Sequence, residues 1–199
     1  MKIRDVVQKW KTPNDGNRTI MESIMVPEVQ QAFNFWVRRV PKGEFVLIGG
    51  LALSFHGVVR STEDVDCLYR RSSDIPEEVV GFKHHRNGAF EHRNTGVEIE
   101  TVSSESFVRI TPQLVQQIFD TAIRHDDVLI ASKSGLVALK AQAMRTGTKG
   151  ARDRYDIMEL LELGDIDVSG YDIWDDAREY IDHLKKELSQ PHPFDRGGK

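Results

Sequence analysis

Apolar positions change rhythm along this chain, and each change marks an element. Val26 to Val40 carries its apolar residues at helical spacing, which predicts an amphipathic helix. Phe45 to Ile48 is a short apolar run closed by Gly49-Gly50, and Leu51 to His56 then has helical composition up to Gly57. This predicts strand, tight turn and short helix. From Asp64 to Tyr69 acids alternate with apolar residues before the run becomes wholly apolar, as in a strand entering a core, so Asp64 and Asp66 share a face. Asp74 to Phe82, with Pro76 in its first turn, predicts a brief helix. Ala89 to Arg93 and Val97 to Val102 flank Asn94-Thr95-Gly96 and predict a hairpin. Its second strand sends Val97 and Ile99 to one side and Glu98 and Glu100 to the other.

Thr111-Pro112 is a helix start, continued at helical spacing by Leu114, Ile118 and Ala122. Val128 to Ile130 predicts a buried strand. Ser132 caps a helix running to about Arg145, after which Gly147 and Gly150 are expected to break the chain. Ala151 to Leu163 predicts a strong helix ended by Gly164, and a last helix is expected over Tyr171 to Leu188. The tail from Ser189 onward has the composition of a disordered segment.

Composition narrows the class. At 199 residues, 39% hydrophobic and 29% charged, the chain can bury one core. The expected division is an N-terminal helical segment over 1–40, a core over 41–130, a C-terminal helical part over 131–189 and a flexible tail over 190–199. The opening residues lack the apolar run of a signal peptide, and no apolar stretch is long enough to span a bilayer, so a cytoplasmic protein with no membrane partner is expected. A single cysteine, Cys67, fits a small buried side chain in a reducing compartment. The net charge of -4 argues against indiscriminate coating of nucleic acid. Yet six basic residues against one acid between Lys133 and Arg154 make a candidate anion-binding surface.

Two features carry chemistry. A strand that ends in Gly49-Gly50 and turns into a helix offers backbone N–H groups to a polyphosphate, because no Cβ blocks close approach, although most such glycine pairs are only turns. Asp64 and Asp66, two apart on a strand, can present hard oxygen ligands to Mg²⁺; the alternative is a solvated strand end. Lys140, on an otherwise apolar helix, must either meet an anion such as a nucleotide phosphate or snorkel to solvent. Asp153 and Asp156 can hold an acceptor hydroxyl or serve as base, or pair with Arg152 or cap their own helix. Arg60 can neutralise phosphate or brace the carboxylates. His84, His85 and His92 lack zinc spacing, and Trp10, Trp36 and Trp174 are scattered as packing residues are.

Taken together, Ile48 to Tyr69 (IGGLALSFHGVVRSTEDVDCLY) resembles the first motif of the DNA polymerase beta-like nucleotidyltransferase superfamily, a glycine turn followed by an Asp-x-Asp strand. The resemblance implies an α+β nucleotidyltransferase fold, a mixed β-sheet flanked by helices, with a third acid from a neighbouring strand. Within GVEIETV, Glu100 matches the apolar-acid-apolar pattern better than Glu98, and it stands where the family usually has aspartate. Leu136 to Lys140 and Arg152-Asp153-Arg154-Tyr155-Asp156 look like the helical motifs of AbiEii-like nucleotidyltransferases, toxins of bacterial toxin-antitoxin systems. These matches span about Val46 to Leu163.

The function so implied is Mg²⁺-dependent transfer of a nucleoside monophosphate from a nucleoside triphosphate to a hydroxyl, on tRNA or protein, with a cognate antitoxin as partner. Asp64, Asp66 and Glu100 would bind metal, Gly49, Gly50, Arg60 and Lys140 the nucleotide, and Lys140 and Asp153 would join the three acids in catalysis. Modification of an antibiotic and non-catalytic nucleotide binding are the alternatives.

Overall fold

A computed structural model describes residues 26–58 and 62–190. The expectations for Arg60, for Trp10 and the opening residues, and for the tail beyond Gln190 lie outside the described residues. Helix α1 (Pro27–Val37) starts on a proline, whose fixed φ suits a first turn, and buries Val29, Ala32, Phe33 and Trp36. Strand β1 (Phe45–Ile48) is buried throughout and passes at Gly49 into the short helix α2 (Gly49–Phe55). Strands β2 (Val65–Tyr69), β3 (Phe82–His84), β4 (Phe90–His92) and β5 (Glu98–Val102) follow. Helix α3 (Pro112–Asp120), strands β6 (Ile123–His125) and β7 (Val128–Ile130), and helices α4 (Lys133–Ala143), α5 (Gly147–Glu162) and α6 (Asp175–Ser189) complete the described chain.

The strands form one mixed sheet in the order β3-β4-β5-β2-β1-β7-β6. β2 runs antiparallel to β1 and parallel to β5, and β1 runs parallel to β7. An α+β architecture, a mixed sheet flanked by helices, is therefore present. The centre of the sheet is its driest part: Val46, Leu47, Cys67 and Leu68 are inaccessible to solvent, as the hydrophobic effect demands of strands covered on both faces. Toward one edge, the indole of Trp36 packs edge-on to Phe82 and tilted against Phe90, each at 5.1 Å, and so seals α1 onto β3 and β4. Among the described residues, no helix is long and apolar enough to cross a membrane.

Several boundaries differ from expectation for identifiable reasons. The helix predicted over Asp74 to Phe82 is instead a 3₁₀ turn at Ser72–Asp74 followed by irregular chain and β3. Ile75 precedes Pro76 and takes an extended ψ of 128°, because a residue before proline avoids the helical region, and Asp74 spends its carboxylate on the Arg71 backbone N–H. The last helix begins at Asp175 rather than Tyr171, since the Tyr171 carbonyl accepts from the Ile173 N–H and the Arg178 guanidinium instead of from an N–H one helical turn on. The three-residue strands β3 and β6 were too short to announce themselves by alternation.

The break between α4 and α5 falls at residues 144–146, just ahead of where it was expected; Gly147 opens α5 with a φ of 64°, and Gly150 lies within its first turn. A Cβ on Gly150 would lie 2.1 Å from the carbonyl oxygen of Arg145, so glycine is what lets α5 fold back against the end of α4. Gly150→Ala is expected to lower stability by about 1–3 kcal/mol through forced backbone displacement, read as a lower urea midpoint with unchanged slope.

Candidate functional site

The corner between β1 and α2 is built around a side chain that is missing. Gly49 has φ of 63°, and a Cβ there would fall 1.7 Å from Oδ2 of Asp66. No other residue both tolerates that backbone and leaves the carboxylate its place. The Gly50 backbone N–H donates to Asp66. Gly50 is equally constrained, since its Cβ would lie 2.6 Å from Oγ1 of Thr62. The Thr62 hydroxyl in turn donates to Oδ1 of Asp64 at 2.8 Å and lies 3.1 Å from the Asp64 carbonyl oxygen. The glycine pair thus packs directly against Asp66 and, through Thr62, against the support of Asp64.

Sheet register supplies the third acid. Asp66 sits opposite Ile48 on one side and opposite Glu100 on the other, whereas Glu98 pairs with Glu91 on β4, the strand on the far side of β5, and is exposed. Asp64, Asp66 and Glu100 line a cavity of about 430 Å³, together with Gly49 and Gly50. Asp66 pays electrostatically for this company. Its burial, then the charges of Asp64 and Glu100, push its carboxyl up to about 6, against the opposing pull of Lys140 and the Gly50 N–H. Among the described residues, no group of three His, Cys, Asp or Glu side chains is gathered closely enough to hold a metal ion unaided.

Lys140 and Asp153 also line the cavity, but they are engaged with one another. The Lys140 ammonium is buried, 2.8 Å from Oδ1 of Asp153 and 2.9 Å from Oδ2 of Asp156. Neither solvent nor a phosphate is needed to satisfy it. Arg145 forks onto Asp153 through Nε and Nη2, the latter at 2.6 Å from Oδ1. Burial alone would raise the Asp153 carboxyl, but the Arg145 hydrogen bonds and the nearby ammonium hold it below its ordinary value. Asp153 therefore does not pair with Arg152, which reaches the cavity wall alongside Lys149. This network binds α4 to α5 at the back of the cavity.

The remaining wall comes from the segment after β5, which the sequence had not singled out. Arg109 stacks over Trp174 at 4.2 Å and reaches Asp176 at 2.6 Å, and its Nε donates to the Gln142 carbonyl at 2.7 Å. The Gln142 amide returns a hydrogen bond to the Arg109 carbonyl, also at 2.7 Å. Thr62 was likewise missed, although a threonine two residues before an acid is a recognisable local hydrogen-bonding pattern. His92 is a packing residue between Phe35 and Phe82, hydrogen-bonded to Thr95, and Cys67 is a buried thiol whose pKa burial drives upward.

No protein-family model matches this chain, and no curated protein matches it.

Two outcomes follow from the charges. With the folded Asp66 pKa near 6 and the unfolded value near 3.8, the native state binds the extra proton between them, so stability falls as pH rises through that window. In the absence of divalent cations, Asp66→Asn is expected to be more stable than the wild type at pH 7 by about 2–3 kcal/mol, the difference vanishing below about pH 4; urea titrations across pH measure it. Conversely, Lys140→Met leaves two carboxylates buried without their ammonium and is expected to cost about 3–5 kcal/mol in the same assay.

Proposed function

We propose that the protein is a Mg²⁺-dependent nucleotidyltransferase, transferring a nucleoside monophosphate from a nucleoside triphosphate to an acceptor hydroxyl. The observation that carries this reading is the convergence of Asp64, Asp66 and Glu100 beside the Gly49-Gly50 corner, on the wall of a cavity that also presents Arg145, Lys149 and Arg152. Acids at a backbone corner with cations on the same cavity suit a ligand that is itself a metal-bound polyanion. The mixed sheet and its flanking helices fit the nucleotidyltransferase fold that the sequence motif resembles.

The donor set suits the ion. Burial, and then the charges of Asp64 and Glu100, raise the Asp66 carboxyl, and a divalent cation relieves the repulsion among the three acids. Because the three acids do not close into a cage, the remaining ligands would be phosphate oxygens and water, the mixture Mg²⁺ prefers. Asp64 and Asp66 would hold the cation, with Glu100 beside them. When bound, the ion neutralises phosphate charge and polarises the phosphorus under attack.

The chain's own residues do the rest by positioning. Gly49, having no side chain, leaves room for the triphosphate beside Asp66, and Lys149 and Arg152 draw its charge into the cavity. Glu100 orients the acceptor hydroxyl and takes its proton. The hydroxyl oxygen forms a bond to the α-phosphorus as the bond to the bridging oxygen breaks, and pyrophosphate leaves. Lys140 and Asp153 are assigned here to holding the cavity wall, through the ion network described above. The acceptor in this reading is an RNA end such as tRNA, or a protein hydroxyl, in a toxin that an antitoxin restrains. Non-catalytic nucleotide binding is the second reading, favoured by the engagement of Lys140 with two carboxylates; nucleotide binding without pyrophosphate release would mark it.

Incubation with each labelled nucleoside triphosphate, Mg²⁺, total RNA and cell protein is expected to label one fraction. Asp64→Ala and Asp66→Ala should each reduce that labelling by about a hundredfold or more. Full activity in both variants would end the proposal.

A further inference from the structure

The cavity has a second character that the chemistry above does not use. Besides its charged groups the wall carries apolar side chains, those of Val102, Phe107, Val108, Ile110, Leu136 and Leu139. Most of these are ordinary edges of the core, but Phe107 is 54% exposed and Val108 is 95% exposed. A phenyl ring left half open on a cavity wall keeps apolar surface that a bound ligand can cover.

The backbone that carries it is held at both ends. On one side the Ser106 hydroxyl accepts from the Ser103 N–H at 2.9 Å, and the Ser106 N–H donates to the Ser103 carbonyl at 3.0 Å. On the other, Arg109 is tied to Gln142, Asp176 and Trp174, and the Ile110 N–H closes onto the Phe107 carbonyl at 3.1 Å. The ring is thus presented on an anchored strap rather than on a loose loop.

We propose that Phe107, flanked by Val108, is the platform on which the base of the nucleoside triphosphate stacks. This rests on the nucleotidyl-transfer reading and deepens it. A nucleotide is a polyanion joined to a flat apolar ring, and the cavity combines carboxylates and cations with apolar side chains and one half-exposed phenyl ring. Its volume of about 430 Å³ lies in the range of pockets that enclose small ligands. Stacking accepts any base, because every base has a π-face, and Arg109, the one polar side chain of the segment Phe107 to Ile110, is already tied to Gln142, Asp176 and Trp174. The site therefore favours purines over pyrimidines by ring area and separates adenine from guanine weakly.

The test is equilibrium binding to the full chain with Mg²⁺, using ATP bearing an α,β-methylene bridge and, in parallel, tripolyphosphate. Phe107→Ala is expected to weaken the nucleotide about tenfold or more while leaving tripolyphosphate unchanged. Phe107→Trp is expected to keep nucleotide affinity. The platform is overturned if Phe107→Ala weakens both ligands alike or neither, or if the wild type binds both equally. A wild type that binds neither ligand removes the nucleotidyl-transfer reading and this inference with it.

Discussion

A carboxylate occupies the space in which any side chain at Gly49 would stand, and much of the site follows from that contact. The positive φ at Gly49 turns the chain from the end of β1 into α2, and the turn brings the Gly50 N–H onto Asp66. Thr62, pressed on Gly50, carries the constraint to Asp64. A backbone corner, a hydroxyl and two acids are therefore one unit, and none can be enlarged without displacing another. The concentration of negative charge is kept by covalent connection and packing, against its own repulsion. Such a site is preorganised at the expense of stability, a pattern common where function rather than folding selects the residues.

Opposite in sign and in effect is the network of Lys140, Arg145, Asp153 and Asp156. Here each buried charge has a partner, so burial costs less and the geometry is fixed. Because Arg145 stands in the link between α4 and α5, its fork onto Asp153 ties the turn to the helix that follows. The back of the cavity is thereby made rigid by ions, while its front is made of partly buried carboxylates and the exposed cations Lys149 and Arg152. The two halves differ in what they have left to offer a ligand.

Much of this was legible in the residues and some was not. Period-two alternation over Asp64 to Tyr69 and the glycine pair after Ile48 located the corner, because both signals are local and strong. The residue pattern already favoured Glu100 over Glu98, but not their neighbours: the two share a face, and it is the pairing of β2 with β5 that puts Glu100 opposite Asp66. The partners of Lys140 were beyond the sequence as well, since an apolar helix with one lysine says that a counter-charge is needed but not which acid supplies it. Gly150 misled because glycine marks both chain breaks and close approaches, and here the close approach is to the Arg145 carbonyl, whereas Gly147 does turn the chain through its positive φ. Phe107 to Arg109 gave no periodic signal at all; their place on the cavity wall depends on contacts with Gln142, Trp174 and Asp176, distant in the chain.

The sheet's two outermost described strands, β3 and β6, are three residues long, and Lys83 and Arg124 stand exposed at their midpoints. Short, charged margins give another chain little to add a strand to. A seven-stranded sheet of this kind can hold a wide, dry centre at high concentration without polymerising through its rims.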